Sequence, residues 1–200
     1  MKFVLSSHNK GKLNEIRKIL KPLEIEIYTP KDLGFDMKEP KETGKTFKEN
    51  AKIKALAAYN LTHLPTIADD SGLEVDALEG KPGIYSARFA GENATDLQNT
   101  EKLLLELQNV PALKRTARYV CCICCILPDK EFFTETFLNG SIATSQRGTQ
   151  GFGYDNVFIF DGKNTLAQVP IEVKNKISHR AKALNSLYEK LKLYINLGEI

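Results

Sequence analysis

The sequence predicts an α/β fold built on a mixed β-sheet. Three observations carry that expectation. Strand-like apolar runs and helical stripes alternate along the chain. Three of the later strands follow one another through short turns, an antiparallel pattern. No repeat, low-complexity tract or long linker divides the 200 residues, so one domain over 1–200 is expected.

Residues 2–6, KFVLS, read as the first strand. Residues 10–21 carry Leu13, Ile16 and Leu20 on one face and read as a helix. Residues 24–28 alternate as a strand, and two prolines with two glycines make 30–45 a loop. Residues 46–60 form a helix, with Thr46 and Glu49 as a capping box and Phe47, Ala51, Ala55 and Ala58 as its apolar stripe. Strands are expected at 66–68 and 73–78, separated by Asp69 and Asp70. A capped helix spans 95–110, and strands follow at 117–127, 131–138 and 141–146. A Gly-rich loop at 151–155 feeds a strand that ends near 160. The last helix spans 178–195, capped by Ser178, with Leu184, Leu187, Tyr188 and Leu191 toward the core.

The formal charge of +3 is mild and gives no argument for a nucleic-acid or acidic-membrane partner. No run approaches the ~20 apolar residues of a membrane span. The opening MKFVLSS reads as a strand rather than a signal peptide, so a cytoplasmic protein is expected. All four cysteines fall in YVCCICCIL, where Cys121 and Cys125 share one strand face and Cys122 and Cys124 the other. Strand neighbours point apart and cannot form ordinary disulfides. No second Cys/His cluster exists to complete a zinc site, so the four are expected as small buried apolar side chains in a reduced setting.

Four stretches can carry chemistry. The turn SSHNKGK places polar residues and Lys10 and Lys12 at a helix N-terminus; it is either a capped turn or a phosphate cradle. Asp69 and Asp70 are either a solvated turn or an oxygen site for Mg²⁺, with Glu42 as a third carboxylate. Asn50 and Lys54 lie one helical turn apart and can face the same way. In GFGYD, Phe152 and Tyr154 either stack on a flat ring or pack inward. His179 and Arg180 sit in the first turn of a helix, where the dipole disfavours cations; a bound anion is one explanation, solvation the other.

The segments SHNKGK, TGKTFKENAKIKA, IADDSGLEVDALEGKPGIYSARFAG, GFGYD and KNKISHRAKAL together resemble the inosine triphosphate pyrophosphatase family, in order and at similar spacing. The resemblance implies an elongated α/β body, a mixed sheet flanked by helices, with two lobes and a central active-site groove. It implies Mg²⁺-dependent hydrolysis of deaminated purine nucleoside triphosphates to the monophosphate and pyrophosphate, usually by a homodimer. Carried over by residue, Ser7, His8, Asn9, Lys10, Gly11 and Lys12 would hold phosphates, and Ser71 would touch substrate. Glu42 and Asp70 would bind Mg²⁺. Asp70 would be the acid-base group, with Asp69 in support; beside the resemblance, Lys12 and Lys54 are expected to stabilise charge that builds on the transferring group and on the leaving pyrophosphate. Phe152, Gly153, Tyr154 and Asp155 would enclose base and sugar, and Lys174, His179 and Arg180 would complete the nucleotide site. Asn156, where many members have Pro, and Val173, where many have Glu, depart from the family pattern.

Overall fold

The computed structural model describes residues 1–7 and 9–198, with the backbone alone for Lys10. Six strands form one mixed sheet: β1 (Lys2–Leu5), β2 (Glu26–Tyr28), β3 (Thr66–Val75), β4 (Thr116–Ile126), β5 (Glu131–Ile142) and β6 (Phe158–Ile159), in the order β2-β1-β3-β4-β5-β6. β1 pairs in parallel with β2 and with β3, while β5 pairs antiparallel with β6. The helices are α1 (Lys10–Leu20), α2 (Phe47–Thr62), α3 (Asp96–Glu106), α4 (Ile171–Ile177) and α5 (His179–Asn196). The α/β class and mixed sheet are as the sequence predicts.

The chain divides into two compact units. The first takes Met1–Asp70, Cys121–Thr136 and the chain from Arg180 onward; the second takes Ser71–Val120 and Phe137–His179. Strands β3, β4 and β5 each pass from one unit into the other.

In the first unit, alternation along the strands sorts the core. Phe3, Leu5, Ile67, Cys121, Ile123 and Cys125 pack with Ile16 and Leu20 of α1 and Leu184, Leu187 and Leu191 of α5. Ala68, Cys124 and Ile126 pack with Ala51 and Ala55 of α2. Each fully buried leucine contributes roughly 1.5–3 kcal/mol of burial. All four thiols are free and buried, as the sequence predicts. Burial pushes Cys122 and Cys124 up to about 12 and Cys121 and Cys125 further, so these thiols stay protonated. The second unit packs Leu73, Val75, Leu103, Leu107, Tyr119, Tyr154 and Phe158 into its own core.

Several expectations are corrected. The strands predicted at 66–68 and 73–78 are one strand, β3, that runs straight through Asp69 and Asp70. Successive strand residues face opposite ways, so the two carboxylates need no shared counter-ion. The strands predicted at 131–138 and 141–146 are likewise one, β5. Asn139-Gly140 looks like a turn, but a Cβ at Gly140 would lie 2.2 Å from the Ile159 carbonyl oxygen. The glycine serves the close approach of β6, not a reversal. Most of 151–160 is turn, and only Phe158–Ile159 is strand. Helix α4 was not foreseen; Ser178 stands between α4 and α5 with extended backbone. At the start of α2, Thr46 Oγ1 accepts from the Glu49 N–H, but Glu49 Oε2 accepts from the Lys45 N–H rather than from that of Thr46. The reciprocal box is therefore displaced by one residue. The box is complete in α3, between Thr95 and Gln98.

Candidate active site

Asp69 is 2 % exposed and faces α1 and α5. Its Oδ2 lies 2.8 Å from Lys12 Nζ and 3.2 Å from Arg180 Nε. Burial alone would raise its pKa, but the Lys12 ammonium and then the Arg180 guanidinium reverse that and hold the carboxyl well below its ordinary range. Arg180 also approaches Glu15, at 3.9 Å. The cation at the head of α5 thus has its anion, and the anion belongs to the protein.

Asp70 faces α2. Its Oδ1 accepts from Lys54 Nζ at 2.8 Å, and the same ammonium donates to Glu42 Oε1 at 2.9 Å. Burial raises the Asp70 pKa above the ordinary value, with Lys54 opposing it. Burial also disfavours the Lys54 ammonium, but Asp70, Asp69 and Glu42 outweigh it and raise its pKa. Glu42 is held in place through the loop that follows it, because the Gly44 N–H donates to Asn50 Oδ1 at 2.9 Å.

Glu15, Glu42, Asp69 and Asp70 face the cations Lys12, Lys54 and Arg180. Among the described residues that is one more carboxylate than cation, with Asp69 and Asp70 buried. Asp69 Oδ1, Asp70 Oδ2 and Asn50 Nδ2 are buried with no well-formed hydrogen bond among the described residues, although the Asn50 amide is near enough to Asp70 to favour its ionised form. Orphaned buried polar atoms mark a place for water, an ion or a ligand. Among the described residues no three His, Cys, Asp or Glu side chains form a closed metal-binding set. Glu42 Oε1 and Asp70 Oδ1 instead meet at the Lys54 ammonium; they are the kind of carboxylate pair that Mg²⁺ takes before completing its shell with water and phosphate, and the ion would have to share them with that cation.

The second unit holds a different cluster. Phe152 is 56 % exposed, whereas Tyr154 is buried and its hydroxyl donates to the Ser86 carbonyl at 2.8 Å. The two aromatics of GFGYD therefore divide, one outward and one inward. Asp155 is buried; its Oδ2 accepts from the Phe152 N–H at 2.8 Å and from the Lys174 ammonium. Gly151 has φ +82°, and a Cβ there would meet Asp155 Oδ2 at 2.1 Å, so the turn requires glycine. Lys174 lies 4.3 Å over the Phe152 ring. The rings of His179 and Tyr119 stack with centroids 4.7 Å apart and planes 3° apart.

The structure thus brings Lys12, Glu42, Lys54, Asp69, Asp70 and Arg180 into one cluster, and Phe152, Asp155 and Lys174 into another. Ser7 and Asn9 lie in the turn before α1, where Asn9 Oδ1 accepts from the Gly11 and Lys12 N–H groups. That is the capped-turn geometry, and it occupies two amides that a phosphate could otherwise use. His8 lies outside the described residues, and of Lys10 only its place in α1 is described. Ser71 follows Asp70 in β3 and is half-buried. Sequence reasoning missed Glu15 and Tyr119. Glu15 follows Lys12 by one helical turn, a spacing that signals a shared face. Tyr119 carries no local signal, since one tyrosine in a strand reads as core.

A model of the Ham1 family matches residues 3–190. A Geobacter sulfurreducens protein called dITP/XTP pyrophosphatase is 49 % identical over 192 residues, covering 95 % of this chain and 96 % of that one. A Bacillus subtilis protein of the same name is 45 % identical over 186 residues, covering 92 % and 93 %. Among solved structures, a HAM1 protein from Coxiella burnetii aligns with a TM-score of 0.90 at 38 % identity, over 96 % of this chain and 98 % of that one. The Staphylococcus aureus Ham1 protein aligns with a TM-score of 0.88 at 42 % identity, over the same shares. With nearly the whole chain matched in sequence and in fold, the protein belongs to the Ham1 family.

Proposed function

We propose that this chain hydrolyses deaminated purine nucleoside triphosphates (ITP, dITP and XTP) to the monophosphate and pyrophosphate, with Mg²⁺ as cofactor. The observation that carries the proposal is Asp70. One of its buried oxygens is held by Lys54, which Glu42 shares, and the other makes no well-formed hydrogen bond among the described residues, with only the Asn50 amide near enough to steady the carboxylate. The relatives called dITP/XTP pyrophosphatase support the substrate class.

In this reading Glu42 and Asp70 hold the ion, which when bound polarises phosphate oxygens and offsets their charge. Asp70 Oδ2 orients the water that attacks the α-phosphorus and accepts its proton; a carboxyl with a raised pKa is a better base than an ordinary one. Lys54 and Lys12 lie on either side of the Asp69–Asp70 pair and stabilise charge that builds on the transferring group and on the leaving pyrophosphate. Asp69 stays ionised and keeps Lys12 and Arg180 in position. Because Asn9 occupies the Gly11 and Lys12 amides, phosphate binding at the turn before α1 falls to side chains, those of Ser7 and Lys12. The exposed Phe152 ring offers a face to the base, and Asp155 and Lys174 fix the turn that presents it.

Hypoxanthine and xanthine carry an oxygen at C6 where adenine carries an amino group. A site that donates hydrogen bonds there rejects adenine by orders of magnitude. The Phe152 and Gly153 N–H groups are already spent on Asp155 and Asp96, and Arg180 is paired with Asp69, so His179 is the donor we assign to this oxygen. The family resemblance supports a homodimer, and the mild charge and the opening strand support a cytoplasmic protein without nucleic-acid or membrane partners. Among the described residues no helix is long and apolar enough to cross a membrane.

The test is turnover of ITP, dITP, XTP, GTP and ATP by purified protein, with and without Mg²⁺, with products identified. Pyrophosphate from the first three, only with Mg²⁺, is the expected result. Orthophosphate as the product, or ATP turned over as readily as ITP, refutes the proposal.

A further inference from the structure

The second unit contains a continuous run of contacts from an exposed ring to a buried one. The Phe152 ring carries the Lys174 ammonium on its face, and Lys174 pairs with Asp155. Asp155 Oδ1 accepts from the Tyr119 hydroxyl at 3.4 Å. The Tyr119 ring then stacks on the His179 imidazole, nearly parallel at 4.7 Å. On its other side Tyr119 meets Phe158 at 4.7 Å, tilted by 49°. Tyr119 is 7 % exposed and belongs to the core of the second unit.

A histidine's ring plane is poorly set by its own torsions, because rotation about the last bond is broad and roughly two-fold. A flat neighbour at stacking distance sets it instead. For an imidazole that must aim one N–H at a particular oxygen of a flat base, that plane decides the geometry of recognition. The Tyr119 hydroxyl remains a donor at working pH, since burial and the nearby Asp155 charge push its pKa well above the ordinary value. One side chain therefore touches both Asp155, which shapes the turn bearing Phe152, and His179.

We propose that Tyr119 is a positioning residue for base recognition: its ring fixes the plane of the His179 imidazole, and its hydroxyl ties that plane to the 152–155 turn. The inference rests on the functional reading above, in that His179 and Phe152 meet the base.

The experiment compares Tyr119→Leu and Tyr119→Phe with the parent, using the full chain with Mg²⁺. Kinetics on dITP and dATP are read beside the His179 ring-proton resonance, assigned by its loss in His179→Gln, and the urea midpoint. In Tyr119→Leu we expect the ring-current shift of His179 to vanish. KM for dITP should rise about tenfold with kcat within about twofold, and the preference for dITP over dATP should shrink. Tyr119→Phe should keep the resonance and the preference, and raise KM by about threefold through the lost hydroxyl tie. A variant that loses stability but keeps its KM and base preference makes Tyr119 mere packing and overturns the proposal. If Tyr119→Leu does not fold, Tyr119→Phe decides: an unchanged KM overturns the hydroxyl tie, and a lost His179 shift overturns the ring's role. A parent protein that ignores dITP refutes the functional reading instead, while the resonance still tests the stack.

Discussion

Replacing Asp69 by Asn should destabilise the protein strongly. The side chain keeps its shape but loses the charge that lies 2.8 Å from Lys12 Nζ and 3.2 Å from Arg180 Nε. Breaking a buried ion pair from one side costs about 3–5 kcal/mol, because the remaining charge is left in a poorly solvated place. Two features favour the lower end. The Lys12 side chain is 18 % exposed and can reach water, and Arg180 keeps Glu15 at 3.9 Å. The expected loss is thus about 3 kcal/mol. With a urea m-value of about 2 kcal/mol/M, the midpoint falls by about 1.5 M. Urea unfolding followed by far-UV circular dichroism in EDTA measures this without metal contributions. A midpoint within about 0.3 M of the parent would mean that the two cations do not depend on Asp69, and the reasoning would fail.

Asp70→Asn should lower kcat on dITP by at least about a thousandfold with little change in fold; a loss under about tenfold, or ~1.4 kcal/mol, would remove Asp70 as the base. Lys54→Met should tighten Mn²⁺ binding in the absence of nucleotide by about tenfold, since the ammonium lies between the carboxylates that would hold the ion, and should cut kcat by about 10²–10³. Calorimetry showing weaker metal binding would contradict that. The thiols make alkaline stability measurable. Their folded pKa values are raised, so their contribution is complete below the unfolded value of about 8.5 and is lost as pH rises toward the folded value. Between pH 7.5 and 9.5 each thiol should cost about 1.4 kcal/mol, and Cys122→Ala should recover that share in urea titrations at the two pH values. Equal pH slopes for parent and variant would refute it.

The fold was legible wherever the pattern was local. The Ala51–Ala55–Ala58 stripe of α2 and Leu184, Leu187 and Leu191 of α5 are buried as their spacing requires. What failed was punctuation. Asp-Asp and Asn-Gly both look like breaks, yet both lie inside strands, because tertiary partners override the local preference. Asp69 is tolerated mid-strand because Lys12 and Arg180 wait on its side. Gly140 is required there by the backbone of β6, which lies about twenty residues further on. The site residues were legible as a set of motifs, but their grouping was not. That Lys54 bridges Glu42 and Asp70, or that Tyr119 lies against His179, depends on strand order and on side-chain direction. Neither is written in any one segment.

Because β3 turns Asp69 toward α1 and α5 and Asp70 toward α2, the pair behaves as a parity code. Inserting or deleting one residue in β3 ahead of it would swap the two acids, handing each the other's cations, whereas a change of two would restore the facing but slide both along the sheet. The spacing of this strand is therefore as binding a constraint as the identity of its acids, and length variation at this point should be tolerated far less than substitution.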